Sequence, residues 1–279
     1  MNLIVQGQDI PTPTLKRLAT LVSANAIEAI SASAFRLVAA DETQGSEAAT
    51  FCEAQTLDCA WVPAERRIRD FGLLVMDMDS TLITIECIDE IADMQGLKPQ
   101  VSGITEAAMR GEIDFAESLR RRVSLLAGLD ESALQRVYDE RLQLSPGADE
   151  MLATVKAAGI KTLLVSGGFT FFTERLKPRL GLNYTAANTL EVVDGKLTGR
   201  VLGDIVDAQG KADWLNRIRT ELGLSQSQVI AMGDGANDLK MMAEAGLSVA
   251  YHAKPVVRSH ASHALNLMGL DGLIPLLGH

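Results

Sequence analysis

The chain of 279 residues carries 26 lysines and arginines against 36 aspartates and glutamates, a formal net charge of −10. With 47% hydrophobic and 22% charged residues, its composition is globular and not that of a disordered chain. An acidic chain with 4% aromatics is poorly suited to nucleic acid, whose binding draws on Lys and Arg for phosphate neutralisation. Length alone fits one large domain or two smaller ones with ample chain for a core. No window reaches the ~18–20 apolar residues of a membrane span, and the start MNLIVQGQDI has no basic stretch before its apolar run, so neither a membrane partner nor a secretory signal is expected. Cys52, Cys59 and Cys87 are too few and too scattered for a disulfide framework or a zinc site. Reduced thiols in a cytoplasmic protein are the expectation.

In chain order, residues 1–70 read as a small α+β module. LIVQG (3–7), AFRLVAA (34–40) and CAWVP (59–63) are strand-like, while TLKRLATLVSA (14–24) and SEAATFCEAQ (46–55) have helix patterns. The charged segment 64–71 is a connection. From residue 71 the pattern changes. The apolar run GLLVMD (72–77) ends on an acid, and residues 85–142 form a helical run with segments at 86–95, 101–111, 115–128 and 131–142. Strand and helix then alternate: helix 147–159, strand into a glycine-rich turn 160–168, helix 169–181, a hairpin over 189–201 turning at Asp194-Gly195, helix 210–223, strand into a turn 229–238, helix 238–246 and strand 247–251. Apolar strands alternating with helices predict an α/β fold with a parallel sheet buried on both faces.

Three of these strands run into polar or glycine-rich turns: Asp77-Met78-Asp79-Ser80-Thr81, Ser166-Gly167-Gly168 and Gly233-Asp234-Gly235-Ala236-Asn237-Asp238. Open parallel sheets bind ligands beyond the carboxyl ends of their strands, so the three turns are expected at one crevice. Clustered carboxylates need a cation to stay ionised together. Hard oxygen donors of this kind suit Mg²⁺, which pairs with substrate phosphate, and amides at helix starts bind anions. The residues thus predict Mg²⁺-assisted chemistry on a phosphate. Gly203 and Gly210-Lys211 do not make a P-loop: six residues separate the glycines and Ala212 follows the lysine.

DMDST, SGG, a lysine and GDGANDL in that order resemble the four-motif signature of haloacid dehalogenase-type phosphotransferases. DMDSTLITIECIDEIA, FAESLRRRVSLLAGL, VSGGF, DGKLTG and AMGDGANDLKMMAEAGLSVAYHAKP are similar to the phosphoserine phosphatase family, over about residues 72–275. The resemblance implies a Rossmann-like core, residues 71–279, with a small helical cap inserted at about 85–145. It implies Asp77 as the nucleophile that forms an aspartyl-phosphate and Asp79 as general acid and then base. Mg²⁺ would be held by the Asp77 side chain, the Asp79 carbonyl and Asp234, braced by Asp238. Ser166 and the Gly167 amide would hold phosphate oxygens, and Lys211 would neutralise phosphate charge.

In the same family pattern Glu86 and Arg122 contact the amino and carboxylate groups of phosphoserine, a pairing that suits an ammonium and a bidentate guanidinium fork. Asn237 would be a further substrate contact. The implied activity is hydrolysis of O-phospho-L-serine to serine and phosphate, the last step of serine biosynthesis. Alternatives are another small phosphomonoester, phosphoryl transfer to an alcohol such as homoserine, and a non-catalytic amino-acid-binding regulator on the same scaffold. Residues 1–70 loosely resemble ACT-type modules, implying a ligand-binding or homodimer-forming role. His260 and His263 are expected at the surface, Cys87 as a packing thiol, and Met232, Met241 and Met242 in the core.

Overall fold

The computed structural model describes residues 1–278, Met109 by its backbone. Its strands and helices follow one another as β1 (Asn2–Gln6), α1 (Thr12–Leu21), β2 (Ala26–Ala29), β3 (Ala34–Val38), α2 (Gly45–Ala54), β4 (Asp58–Val62) and β5 (Leu73–Met76). Next come α3 (Cys87–Asp93), α4 (Lys98–Met109), α5 (Phe115–Ser124), α6 (Ser132–Glu140) and α7 (Ala148–Ala157). β6 (Lys161–Phe169), α8 (Thr170–Leu180), β7 (Tyr184–Val193), β8 (Lys196–Leu202), α9 (Ala208–Glu221) and β9 (Val229–Gly233) follow. The last are α10 (Leu239–Ala243), β10 (Leu247–Tyr251), α11 (Pro255–Arg258), β11 (His263–Leu265) and a 3₁₀ segment, Leu270–Leu277. Two sheets form: a four-stranded one of order β2-β3-β1-β4 and a seven-stranded one of order β11-β10-β9-β5-β6-β7-β8. The expected α/β class holds. The larger sheet pairs β9–β10, β10–β11 and β6–β7 in parallel and ends in the antiparallel β7–β8 hairpin.

By internal contacts the chain divides into two compact units. The first comprises Met1–Leu74, Pro146–Lys161 and Leu224–His279. Here β1 pairs antiparallel with β3 and with β4. The period of two on β1 sorts its residues. Leu3 and Val5 enter a core with Leu15 and Leu18 of α1, Leu37, and Ala48 and Cys52 of α2. On the other face Gln6 donates from Nε2 to the Gly272 carbonyl, 3.0 Å. From β4 the buried Asp58 carboxylate accepts the backbone N–H groups of Asn266, Leu267 and Met268 at 2.9, 2.9 and 3.0 Å. β1 and β4 are therefore joined to the C-terminal segment by buried and part-buried hydrogen bonds, which the alternation in residues 1–70 did not announce.

The second unit comprises Val75–Ser145 and Thr162–Gly223. Its helical insertion α3–α6 leaves and rejoins the chain through a tied neck. Thr84 N–H donates to the Gln143 carbonyl and Ser145 N–H to that of Leu82, each at 3.0 Å. α5 lies along β8 at Gly199 (φ +82°), where a Cβ would come within 2.9 Å of Ala127 and 3.2 Å of Ser124. Two expectations are revised. β2, exposed at all four positions, and the three-residue β11 were not foreseen. His263 is not a surface residue: it lies in β11, part-buried, with Nε2 3.3 Å from Arg66 Nη1, whereas His260 is exposed beyond α11.

Candidate active site

β5, LLVM, is wholly buried, and the first polar side chain after it is Asp77. Asp77 caps the turn that follows, its Oδ1 accepting the Met78 N–H at 2.7 Å. Its Oδ2 lies 2.7 Å from Lys211 Nζ, and the two residues are 5% and 1% exposed. A charge pair this buried is costly unless geometry and further partners satisfy it. Lys211 is set in the first turn of α9, whose start is fixed by Asp207 accepting the Gln209 and Gly210 amides.

Asp79 sits two residues on, in extended backbone, and Ser80 takes the left-handed region at φ 55°. The Asp79 carboxyl accepts from the Cys87 amide at 3.2 Å and stands 3.5 Å from Ser166 Oγ. Burial pushes its pKa above the usual carboxylate range, against hydrogen bonds from the Cys87 thiol and amide, the Lys211 charge and the Ser166 hydroxyl. A carboxyl so placed retains its proton to higher pH, the property a general acid needs.

Ser166 and Gly167 lie at the end of β6. Ser166 is fully buried and its Oγ accepts the Gly168 amide at 2.8 Å. The absence of side chains here is required by space. A Cβ on Gly168 would stand 2.6 Å from Asp79 Oδ2, and one on Gly167 would stand 2.8 Å from Phe115 Cζ. Asn188 of β7 fixes this turn: its Nδ2 donates to the Gly167 carbonyl and its Oδ1 accepts the Val206 amide, both at 2.8 Å. Asn188 and the Cys87 amide were not found from sequence. An asparagine 22 positions beyond the motif serine carries no local signal, and Cys87 acts in part through its backbone.

Glu86 is exposed, with Oε1 accepting from Ser80 Oγ at 2.7 Å. Of the three consecutive arginines in α5, Arg120 and Arg121 are exposed and Arg122 is part-buried. Burial pulls the Arg122 pKa down, while Asp89, Glu86 and Asp79 hold its charge. Asp89 is a further acid that the sequence left unmarked. In the GDGAND turn, Asp238 is fully buried and accepts the Gly235 amide at 3.0 Å, and Asn237 is part-buried. Asp77, Asp234 and Asp238 each offer a carboxylate oxygen, all within 4.8 Å of one another. Three hard oxygen donors at that spacing fit a divalent cation.

The haloacid dehalogenase-like hydrolase family matches residues 74–243, and a domain of unknown function matches residues 3–47. A curated phosphoserine phosphatase of Polaromonas is 56% identical over 216 residues, which is 76% of this chain and 92% of that protein. The unliganded crystal structure of a probable phosphoserine phosphatase from Vibrio cholerae superposes with a TM-score of 0.87 at 42% identity, covering 99% of this chain and 86% of that one. A structure described as a phospho-aspartyl intermediate analogue of phosphoserine phosphatase is 38% identical, with a TM-score of 0.70, over 74% of this chain and 99% of that one. No helix among the described residues is long and apolar enough to cross a membrane. With its motif residues gathered as described and these relatives matched over most of their length, the chain belongs to the haloacid dehalogenase-like hydrolases and, within them, to the phosphoserine phosphatase family.

Proposed function

We infer that this enzyme hydrolyses O-phospho-L-serine to L-serine and phosphate through an aspartyl-phosphate on Asp77. The observation that supports the chemistry is the buried Asp77–Lys211 pair two residues before a carboxyl whose pKa burial raises. The Asp77 carboxylate attacks phosphorus and the P–O bond to serine breaks. The Asp79 carboxyl gives its proton to the departing alkoxide. The resulting Asp79 carboxylate then takes a proton from water as that water attacks the phosphoryl-aspartate, which releases phosphate and restores Asp77. Lys211 pairs with Asp77 before attack and balances phosphoryl oxygen charge during it, with the Ser166 hydroxyl and the Gly167 amide as donors to the same oxygens.

The cation is Mg²⁺ in this reading, held by Asp77, the Asp79 carbonyl and Asp234, with Asp238 bracing the set. When bound it supplies positive charge to the transferring phosphoryl group. Arg122 grips the substrate carboxylate, Glu86 receives its ammonium, and Asn237 adds a contact. Residues 71–279 are the phosphatase domain with its cap at about 85–145. Residues 1–70 are a ligand-binding or dimerising module, and the enzyme is cytoplasmic.

Turnover of phosphoserine, phosphothreonine and a simple sugar phosphate tests the substrate. Preference for phosphoserine by at least about tenfold in kcat/KM, equivalent to ~1.4 kcal/mol, is expected. Equal turnover of the sugar phosphate would overturn the amino-acid reading and leave the chemistry standing.

A further inference from the structure

A second place in the molecule gathers positive charge. A cavity of about 170 Å³ is lined by Arg36 of β3, Arg66 and Arg67 of the connection, Asn2 of β1, and Pro275 and Gly278 near the C-terminus, with no acidic side chain among its lining residues. It is several times the roughly 30 Å³ that one water occupies. Each guanidinium presents five N–H donors. Among the described residues, Arg36 uses Nη1 on Glu28 at 3.1 Å. Arg66 uses Nη1 on the Leu276 carbonyl at 3.3 Å, beside His263. Arg67 uses Nη1 on the Ala64 and Arg66 carbonyls at 3.0 and 2.8 Å. Nε and Nη2 of all three arginines make no hydrogen bond to the described residues.

These charges are only partly offset by nearby acids. Burial lowers the pKa of Arg66 despite Glu65 and Asp70. Burial and the Arg66 charge bring His263 down to about 4, so no second cation forms beside it at neutral pH. Glu28, the partner of Arg36, is itself 53% exposed. Planar guanidinium forks match the oxygens of phosphate and hold them in pairs.

We propose that this cavity is a second anion site, in which Arg36, Arg66 and Arg67 take a phosphate-like oxyanion at a place separate from the residues that carry the reaction. Nothing in the hydrolysis requires it, and inorganic phosphate is the probe because its oxygens match the unused donors.

Isothermal titration of inorganic phosphate into the metal-loaded full-length protein tests this. Two binding events are expected, and Arg36→Gln and Arg67→Gln should each weaken one of them at least about tenfold, as loss of a charged hydrogen bond does. Turnover of phosphoserine at low phosphate should be unchanged in both. Arg36, paired with a mostly exposed acid, is the variant that keeps the test intact if Arg67→Gln melts early. A single binding event in the parent protein, or two events unaffected by Arg36→Gln, would overturn the proposal.

Discussion

Asp58 and Asp77 are both buried carboxylates at strand ends, 3% and 5% exposed, and they are satisfied in opposite ways. Three backbone amides of residues 266–268 close around Asp58. Those donors are fixed by the chain and cannot leave without undoing it. Asp77 instead counts the Met78 amide and the side chain of Lys211 among its partners. A lysine ammonium on a flexible stem can turn toward another anion. A carboxylate enclosed by backbone donors is a structural joint. One balanced by a side chain can change partners during a reaction, and burial raises the pKa of its neighbour Asp79.

The sharpest way to break this contrast is to remove one oxygen charge from each. Asp77→Asn should lower turnover by at least about a thousandfold, because an amide is a far poorer nucleophile. It should also abolish phosphoenzyme trapping while leaving the melting curve cooperative. Substantial residual turnover in purified protein would move the nucleophile elsewhere. Chelation should stop catalysis and Mg²⁺ should restore it, whereas full activity in chelator would remove the metal from the Asp77 side of the comparison. Arg122→Ala should cost about 10- to 100-fold in kcat/KM on phosphoserine, from a charged hydrogen bond of ~1.5–3 kcal/mol. Its effect on p-nitrophenyl phosphate, which has no carboxylate, should be several-fold smaller. Equal losses on both would make Arg122 a general structural residue.

On the other side, Asp58→Ala leaves three backbone donors without their acceptor. At about 1–3 kcal/mol for each buried donor, with relaxation and water recovering part, a loss of about 3 kcal/mol is expected. That corresponds to a fall of roughly 6–12 °C in Tm, read by calorimetry, with kcat on phosphoserine unchanged below that temperature. A fall in kcat as large as that of Asp77→Asn would erase the distinction.

The smallest effect sharpens the same side. His263 has a folded pKa of about 4 against an ordinary 6.5, through burial and Arg66. The unfolded chain therefore binds its proton first as pH falls. The stability conferred is fully present above pH 6.5 and is lost progressively down to about 4. Allowing for partial exposure, this amounts to about 2 kcal/mol. Replacement by Gln should flatten the stability difference between pH 6.5 and 4 in denaturant titrations. An unchanged slope would show that His263 is not held neutral by the fold.

The main strands were readable because burial on both faces demands unbroken apolar runs: LLVM at β5, VIAM at β9 and LSVAY at β10. β2 was not, because AIEA is exposed throughout and imposes no pattern on its residues. β11, at three residues, is too short to show a period. At the site, acids and glycines in fixed turns stood out by residue type. Asn188 did not, because its contribution is two hydrogen bonds to backbone from another strand. Nor did the distinction among Arg120, Arg121 and Arg122, since helical spacing does not say which face the cap presents to its own acids.

The grip of residues 266–268 on Asp58, with Gln6 on Gly272, bears on what a protease would release. The charged connection at 64–71 offers cleavable arginines. A nick there breaks one covalent bond but leaves the β1–β4 sheet attached to the C-terminal segment by buried hydrogen bonds and shared apolar surface. The clipped protein should travel as a single particle through a sizing column and come apart into two polypeptides only in denaturant. Separately expressed pieces ending and starting in that connection should then find each other and reassemble.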